Sequence, residues 1–201
     1  MYKFYIDHDP EPQSPREWDN VGTIVASHPR YDLGDEHWRP SEVCHLKEAV
    51  IQYIYEVEQD EIELEHYNRL QKEYVWLPLT IYDHGGISLS VGEGSGWDSM
   101  VVGFIYAQIT NEHSKDELIK RLESEIEVYD QYLRGDIYGF QLAKEKKCDC
   151  CGHIEADEIE SCWGFYGSDW KENGMKDHLS PEIIAQIEAG IIPVIEKYLN
   201  V

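Results

Sequence analysis

Basic residues are scarce in this sequence. Lysine and arginine make up 17 of its 201 residues, against 40 aspartates and glutamates, and the formal net charge is −23 at pH 7. Direct binding to nucleic acid requires a basic stripe that meets the phosphates, and binding to an anionic membrane requires basic residues near the lipid head groups. The deficit argues against both kinds of partner. The same deficit favours a partner protein with a basic surface. The alternative is that the acidity only keeps the protein soluble.

Long apolar runs are missing as well. No stretch approaches the roughly 20 apolar residues of a membrane span, and residues 1–7 turn acidic without the apolar core of a secretory signal. The five cysteines are an odd number, and three of them fall between positions 148 and 151. Such crowding is typical of reduced thiols or of a metal site rather than of a disulfide framework. We therefore expect a cytoplasmic protein.

Signatures of catalysis are also lacking. The sequence has no G-x-S-x-G elbow of the kind that carries a catalytic serine. Gly92, Gly94 and Gly96 form a glycine-rich loop, but no helix is predicted after it that could hold a phosphate, so a nucleotide site is not expected. These absences favour a binding protein over an enzyme.

The spacing of the apolar residues predicts an α+β fold. We expect one domain over residues 1–201, in which an antiparallel or mixed sheet packs with about three helices. A charged, cysteine-containing hairpin is expected to leave this sheet over residues 144–162. The predicted strands are residues 2–6, 21–27, 74–83, 87–91, 100–109, 137–143 and 162–166, with 100–109 at the centre.

Three serines mark the predicted helix starts, at Ser41, Ser114 and Ser180. Acids at a helix C-terminus oppose the macrodipole, so the first helix should either break near residue 59 or carry this charge for a functional reason. The last should be kinked at Gly190 and Pro193. The residues that the second helix is expected to bury are Leu118, Leu122, Ile126 and Tyr129.

The cysteine-rich segment contains the strongest metal-binding pattern. A C-x-x-C pair precedes Gly152, which is the tight turn that lets two thiolates chelate one zinc ion. The sequence predicts a structural zinc in a zinc-knuckle-like hairpin within residues 144–162, and Cys150 is then a spare thiol. Unliganded surface thiols are an equally open alternative, because no second C-x-x-C pair is present. A redox role is the third, and it is disfavoured because the motif does not open a helix, where thiolates are activated. The predicted zinc ligands are Cys148, Cys151, His153 and Cys162.

A second group of histidines and aspartates underlies an alternative function, a small metal-dependent hydrolase or nuclease. Such a group can hold a divalent cation that activates water. Its spacing matches no H-E-x-x-H motif, however, and aspartates in turns explain it more simply. Its members are His28, Asp32, Asp35 and His37, with Asp83 and His84 as further candidates.

Acidic residues are concentrated in three segments: residues 56–65, the helix after Ser114, and the cysteine-containing hairpin. Carboxylates spaced along a rigid surface can imitate a phosphate backbone, although a run of charge is more often only a solvated face. The mimic interpretation is supported by the absence of any compensating basic block. The residues expected to contact a basic partner are Glu56, Glu58, Asp60, Glu61, Glu63, Glu65, Glu123, Glu127 and Asp130.

Several phrases resemble a family of small acidic proteins from phages and mobile elements of bacteria. They include DNVGT at 19–23, YDLGD at 31–35, VGFIY at 102–106, YDQYL at 129–133, GDIYGF at 135–140 and SCWGFYG at 161–167. The resemblance implies a phage-encoded anti-defence protein of antirestriction or anti-CRISPR type, acting in the host cell cytoplasm. Such a protein would bind the basic nucleic-acid groove of a host nuclease or other defence complex as a DNA or RNA mimic. A zinc-stabilised adaptor that regulates gene expression through protein contacts is a third interpretation.

Overall fold

The computed structural model describes residues 1–37, 45–94 and 98–200. Within these residues the chain forms nine strands and four α-helices, which confirms the predicted α+β class. The strands are β1 (Tyr2–His8), β2 (Thr23–Ala26), β3 (Glu36–His37), β4 (Tyr74–Asp83), β5 (Ile87–Val91), β6 (Ser99–Gln108), β7 (Ile137–Lys147), β8 (Ile154–Tyr166) and β9 (Val194–Glu196). The helices are α1 (Leu46–Tyr55), α2 (Leu64–Glu73), α3 (Lys115–Leu133) and α4 (Pro181–Glu188).

The chain divides into two compact units. Unit 1 consists of Met1–Gln13 and Gly135–Val201, and unit 2 consists of Ser14–Arg134. Unit 1 contains a four-stranded sheet in the order β8-β7-β1-β9, and unit 2 contains a five-stranded sheet in the order β3-β2-β6-β4-β5. Folding of the whole chain as one domain stays a prediction.

The sheet of unit 2 lies between two layers of helices. Its middle strand, β6, is the apolar run that was expected at the centre. Because side chains alternate along a strand, Ile105 packs into one core and Phe104 into the other. On the second side, α1 and α2 contribute Val50, Ile51 and Leu70. On the first side, α3 contributes the four residues that were predicted to be buried, Leu118, Leu122, Ile126 and Tyr129.

The predicted break in the acid-rich region is confirmed. Helix α1 ends at Tyr55, because Glu56 adopts the left-handed conformation with φ 53°. A short 3-10 turn follows at Gln59–Glu61, and then α2 begins at Leu64. The sequence did not indicate α2, because a dense charge run hides the helical period and Leu70 is its single buried residue.

Serine caps occur where two of the three predicted helices begin. The Glu117 N–H donates to the Ser114 hydroxyl, and the Ser114 N–H donates to the Glu117 carboxylate, which is a complete capping box. The Ile183 N–H donates to the Ser180 hydroxyl at the start of α4. Ser41 lies outside the described residues.

The final helix is shorter than predicted. Helix α4 ends at Glu188, and Gly190, with φ 70°, turns the chain away instead of kinking a longer helix. The chain then forms β9, which runs parallel to β1. The Phe4 N–H donates to the Pro193 carbonyl (3.0 Å) beside this pairing. A strand partner almost two hundred residues away decided this ending, so the local apolar pattern could not show it.

In unit 1, β7 and β8 extend past the rest of the sheet. Strand β1 pairs with β7 only as far as Lys144, which lies opposite Tyr2. Beyond it, β7 and β8 continue as a two-stranded hairpin, and we call residues 146–155 the arm. All ten residues of the arm are exposed. The cysteine-containing hairpin that the sequence predicted is therefore present.

Candidate functional site

The segment between α1 and α2, residues 56–65, turns the chain at the surface of unit 2, and we call it the acidic corner. All six of its acidic residues are exposed. In the described part of the chain, none of them forms an ion pair with a lysine or arginine. They are Glu56, Glu58, Asp60, Glu61, Glu63 and Glu65, the first six residues of the predicted contact set.

Apolar contacts and caps hold the acidic corner in place. Val57 and Ile62 pack against the core cluster beneath α1 and α2. Glu58 and Glu61 bond reciprocally, each side chain accepting from the other residue's backbone N–H. Because these contacts hold the backbone between the acids in place, the carboxylates extend from an ordered segment of the chain.

Glu56 has an unusual backbone conformation. It is the one non-glycine residue with a positive φ among those the structure describes. An L-residue in this conformation costs roughly 1–2 kcal/mol, and glycine commonly occupies this position after a helix. The chain therefore carries a carboxylate where glycine would be more stable.

The acids of α3 do not join the acidic corner. Helix α3 packs on the opposite side of the sheet from α1 and α2, so the exposed Glu123 and Glu127 form a separate surface. Asp130 corrects the prediction, since its side chain is only 16% exposed. It accepts a hydrogen bond from the Leu89 N–H (2.7 Å) and pairs with Arg134 (3.0 Å). Asp130 thus joins β5 to α3 and is not part of an open array.

A buried arginine neutralises two further acids. Arg16, 8% exposed, donates two hydrogen bonds to Asp35 (3.0 and 2.7 Å) and pairs with Glu125 (3.1 Å). The two carboxylates also accept from the N–H groups of Ile24 and Val21 (both 2.7 Å). Burial alone would lower the pKa of Arg16, but Asp35 and Glu125 together hold it above its ordinary value. No local signal reveals this network, because its acids lie 19 and 109 residues from the arginine.

The residues of the alternative hydrolase site are divided among separate contacts. Asp35 belongs to the Arg16 network. His37 pairs with Asp32 at 2.5 Å on the surface, and His28 stacks on Tyr31 with ring centroids 4.8 Å apart. Each pair stabilises its own loop, which agrees with the turn interpretation of this segment.

The two further candidates on the β4–β5 hairpin are also engaged elsewhere. Asp83 accepts hydrogen bonds from Arg30 and from the Tyr31 hydroxyl (3.2 Å), and His84 lies 3.9 Å from Asp98. Among the residues that the structure describes, no three members of the predicted set come close enough to share one metal ion. This arrangement gives the hydrolase alternative no support.

Three thiols come together at the end of the arm, and we call them the thiol tip. The Cys148 N–H donates to the His153 carbonyl (2.7 Å), and the Gly152 N–H donates back to the Cys148 carbonyl (2.9 Å), which closes the turn. The sulfur atoms of Cys148, Cys150 and Cys151 lie within 4.8 Å of one another, and all three residues are exposed. This spacing is close enough for a single metal ion.

Hydrogen bonds at the thiol tip favour a thiolate. The Cys150 thiol, followed by the backbone N–H groups of Cys150 and Cys151, lowers the pKa of Cys148 to about 6. The same thiol pair, with sulfurs 2.8 Å apart, raises the pKa of Cys150. A thiolate is the form of cysteine that binds metals. The tip therefore offers one ready ligand at neutral pH and two neighbouring thiols.

The thiol tip corrects the predicted zinc ligands. Cys150, predicted to be a spare, belongs to the group, whereas His153 and Cys162 do not. Cys162 lies opposite Phe140 within the sheet and packs against the core of unit 1. It is eight residues along β8 from Ile154, or about 26 Å at the usual strand rise of 3.3 Å per residue. The turn uses the His153 backbone carbonyl.

The longest helix, α3, has 19 residues and carries charge along one side. No helix in the described parts of the chain has both the length and the apolar character needed to cross a bilayer.

The chain matches no protein-family model, no curated protein and no solved structure.

Proposed function

We propose that this protein is a non-enzymatic inhibitor that binds the basic nucleic-acid groove of another protein through its acidic corner. The target class is a host nuclease or other defence complex, of CRISPR or restriction type, which a phage-encoded protein would meet in the host cytoplasm. One observation carries the proposal: six exposed carboxylates on ten consecutive residues, none of which forms an ion pair with a lysine or arginine of the described chain, on a segment anchored to the core.

The acidic corner presents a dense run of negative charge to solvent, as nucleic acid does. Double-stranded DNA carries about one charge per 1.7 Å of its axis, and a groove that binds it presents lysine and arginine at matching intervals. Because none of the six carboxylates forms an ion pair with a lysine or arginine of the described chain, their charge is available to such a groove. The large net negative charge of the chain adds long-range attraction, which accelerates encounter and weakens as salt increases.

The backbone at Glu56 supports the same conclusion. Strained backbone conformations are concentrated at functional sites, where the surrounding structure holds them in place. Here the strain places a carboxylate at the start of the acidic corner. A purely solvated face would gain stability from glycine at this position.

The experiment compares two charge-reversal variants of equal net charge. In the first, all six acids of the acidic corner become lysine. In the second, six exposed acids outside the predicted contact set become lysine, namely Glu11, Glu112, Glu155, Glu160, Glu172 and Glu188. Each substitution changes the charge by +2, so both variants have a formal net charge of −11. Inhibition of DNA cleavage is measured with a panel of purified restriction and CRISPR nucleases at low and high salt.

We expect the corner variant to lose at least about tenfold in inhibition of a sensitive nuclease, while the control variant stays within a few-fold of the unmodified protein. Equal losses in both variants would show that total charge, and not the acidic corner, is responsible. Full inhibition by the corner variant would refute the assigned surface. Failure of the unmodified protein to inhibit any nuclease of the panel would refute the target class.

We further propose that the thiol tip binds a structural zinc ion. Zinc takes thiolate ligands at about 2.3 Å in a tetrahedral arrangement, and the three sulfurs already lie within 4.8 Å of one another. Zinc would fasten a turn whose residues are all exposed. Elemental analysis of the purified protein should find zinc, which Cys148→Ser and Cys151→Ser should abolish and Cys162→Ser should leave in place.

A further inference from the structure

The thiol tip offers one ligand fewer than a structural zinc requires. Structural zinc sites are almost always closed by four protein ligands, whereas three ligands leave a position open. Cys148, Cys150 and Cys151 are the members of the group, and the parts of the chain that the structure describes supply no fourth histidine, cysteine or carboxylate within the same 4.8 Å. The ligand that completes such a site must therefore come from elsewhere.

The arm is shaped to meet another molecule. Its ten residues are all exposed, and the strands that carry the thiol tip extend past the last residue of β7 that β1 covers. The three sulfurs are at the far end of this projection, where the four-stranded sheet of unit 1 does not cover them. A second arm can approach end to end without disturbing the core of unit 1.

Charge also permits two tips to meet. The chain as a whole has a formal charge of −23, which opposes self-association. Around the tip, however, three lysines stand against four acids over residues 144–157, a formal charge of only −1. Lys146 and Asp157 form an ion pair across the strands (2.9 Å). Two arm ends therefore repel each other far less than two acidic corners would.

We propose that the zinc of the thiol tip is shared by two copies of the chain, with the tip of the second copy supplying the missing sulfur ligand. This inference rests on the zinc binding proposed above. Two tips together offer six thiols, and two zinc ions, each bound by the three sulfurs of one tip and one sulfur of the other, reach four sulfurs each when two of the thiolates bridge both ions. Because each copy contributes the same surface, the contact closes as a twofold dimer and does not extend into a fibre.

The test uses the full chain under a reductant that does not bind zinc, so that disulfide dimers are excluded. Mass in solution is measured by light scattering for the zinc-free protein, for the protein with added zinc, and after addition of a chelator. X-ray absorption at the zinc edge counts the sulfur neighbours of each ion. The variants are Cys148→Ser, Cys150→Ser and Cys151→Ser, with Cys162→Ser as the control on the same hairpin.

We expect zinc to double the mass and the chelator to reverse the change, with four sulfurs around each ion. Serine at a tip cysteine should weaken the dimer at least about tenfold, since structural zinc sites depend on a complete ligand set, and Cys162→Ser should leave it intact. An excess of a small thiol should dissolve the dimer by taking the fourth position.

Three results would overturn the inference. A zinc-bound monomer with three sulfurs and one light atom around the ion would refute sharing and leave zinc binding standing. No zinc binding at all would refute both proposals together. A dimer that persists without zinc would place the interface elsewhere. The zinc-free and zinc-loaded forms of the unmodified protein decide among these results even where a variant fails to fold.

Discussion

The two helix layers of unit 2 use their acids differently. On the α3 side, Asp35, Glu125 and Asp130 bind an arginine or a backbone N–H group. On the α1–α2 side, the acidic corner has six exposed acids, none of which forms an ion pair with a lysine or arginine of the described chain. Both regions are acidic in the sequence. The difference teaches that counting acids locates negative charge but does not locate the surface that is free to bind.

Removal of Arg16 is the strongest way to break this contrast. Arg16→Met leaves the partly exposed Asp35 and Glu125 together without their counter-ion, and the loss of several hydrogen bonds between charged groups costs about 3 kcal/mol. Urea denaturation should show a loss of that size in the free energy of unfolding. Arg121→Met, at an exposed position of α3, should change it by less than about 0.5 kcal/mol. Equal effects of the two substitutions would contradict the assigned role of Arg16.

A smaller effect separates two acids on one helix. Asp130→Ala removes the acceptor of the Leu89 N–H and the partner of Arg134, and a hydrogen bond to a charged group is worth about 2 kcal/mol. Glu127→Ala, one turn earlier and exposed, should change the free energy of unfolding by less than about 0.5 kcal/mol. The same urea titration measures both. If Asp130→Ala leaves the free energy of unfolding unchanged, the role of Asp130 as a link between β5 and α3 is refuted, and the residue belongs with the open acids.

Raising the pH tests the α1–α2 side of the comparison, where Tyr55 directly precedes the acidic corner. Burial, followed by the nearby Glu73 carboxylate, raises the pKa of Tyr55 to about 12, whereas a tyrosine in an unfolded chain ionises near 10. The neutral ring therefore supports the fold fully below pH 10, and this contribution is lost as pH rises from about 10 to 12. Urea midpoints should fall over that range. Tyr55→Phe should reduce the fall, and an unchanged fall would show that Tyr55 does not contribute.

Local pattern succeeded where local forces decide. The buried residues of α3, from Leu118 to Tyr129, recur with the 3.6-residue period of a helix, and this pattern can be read from neighbouring residues alone. The β4–β5 hairpin and the cysteine-containing hairpin likewise depend on turns and strands close together in sequence. These elements were predicted and are confirmed.

Pattern failed where a partner lies far along the chain. Glu127 and Asp130 look alike in the sequence, but only Asp130 meets the Leu89 N–H, 41 residues away. Cys162 looks like a ligand for the C-x-x-C pair until β8 is seen to run straight past the turn into the sheet. A hairpin with long strands separates residues that a compact knuckle would bring together.

The sequence by itself determined the α+β class, the excess of negative charge, the break before α2 and the clustering of cysteines at one turn, because each depends on composition or on residues within a few positions of one another. Only the tertiary structure decided which acids are neutralised, which face each acidic helix occupies, and that Cys150 joins the thiol tip in place of Cys162. Those outcomes depend on distances between atoms that the chain brings together from afar, and no spacing along the chain encodes them directly.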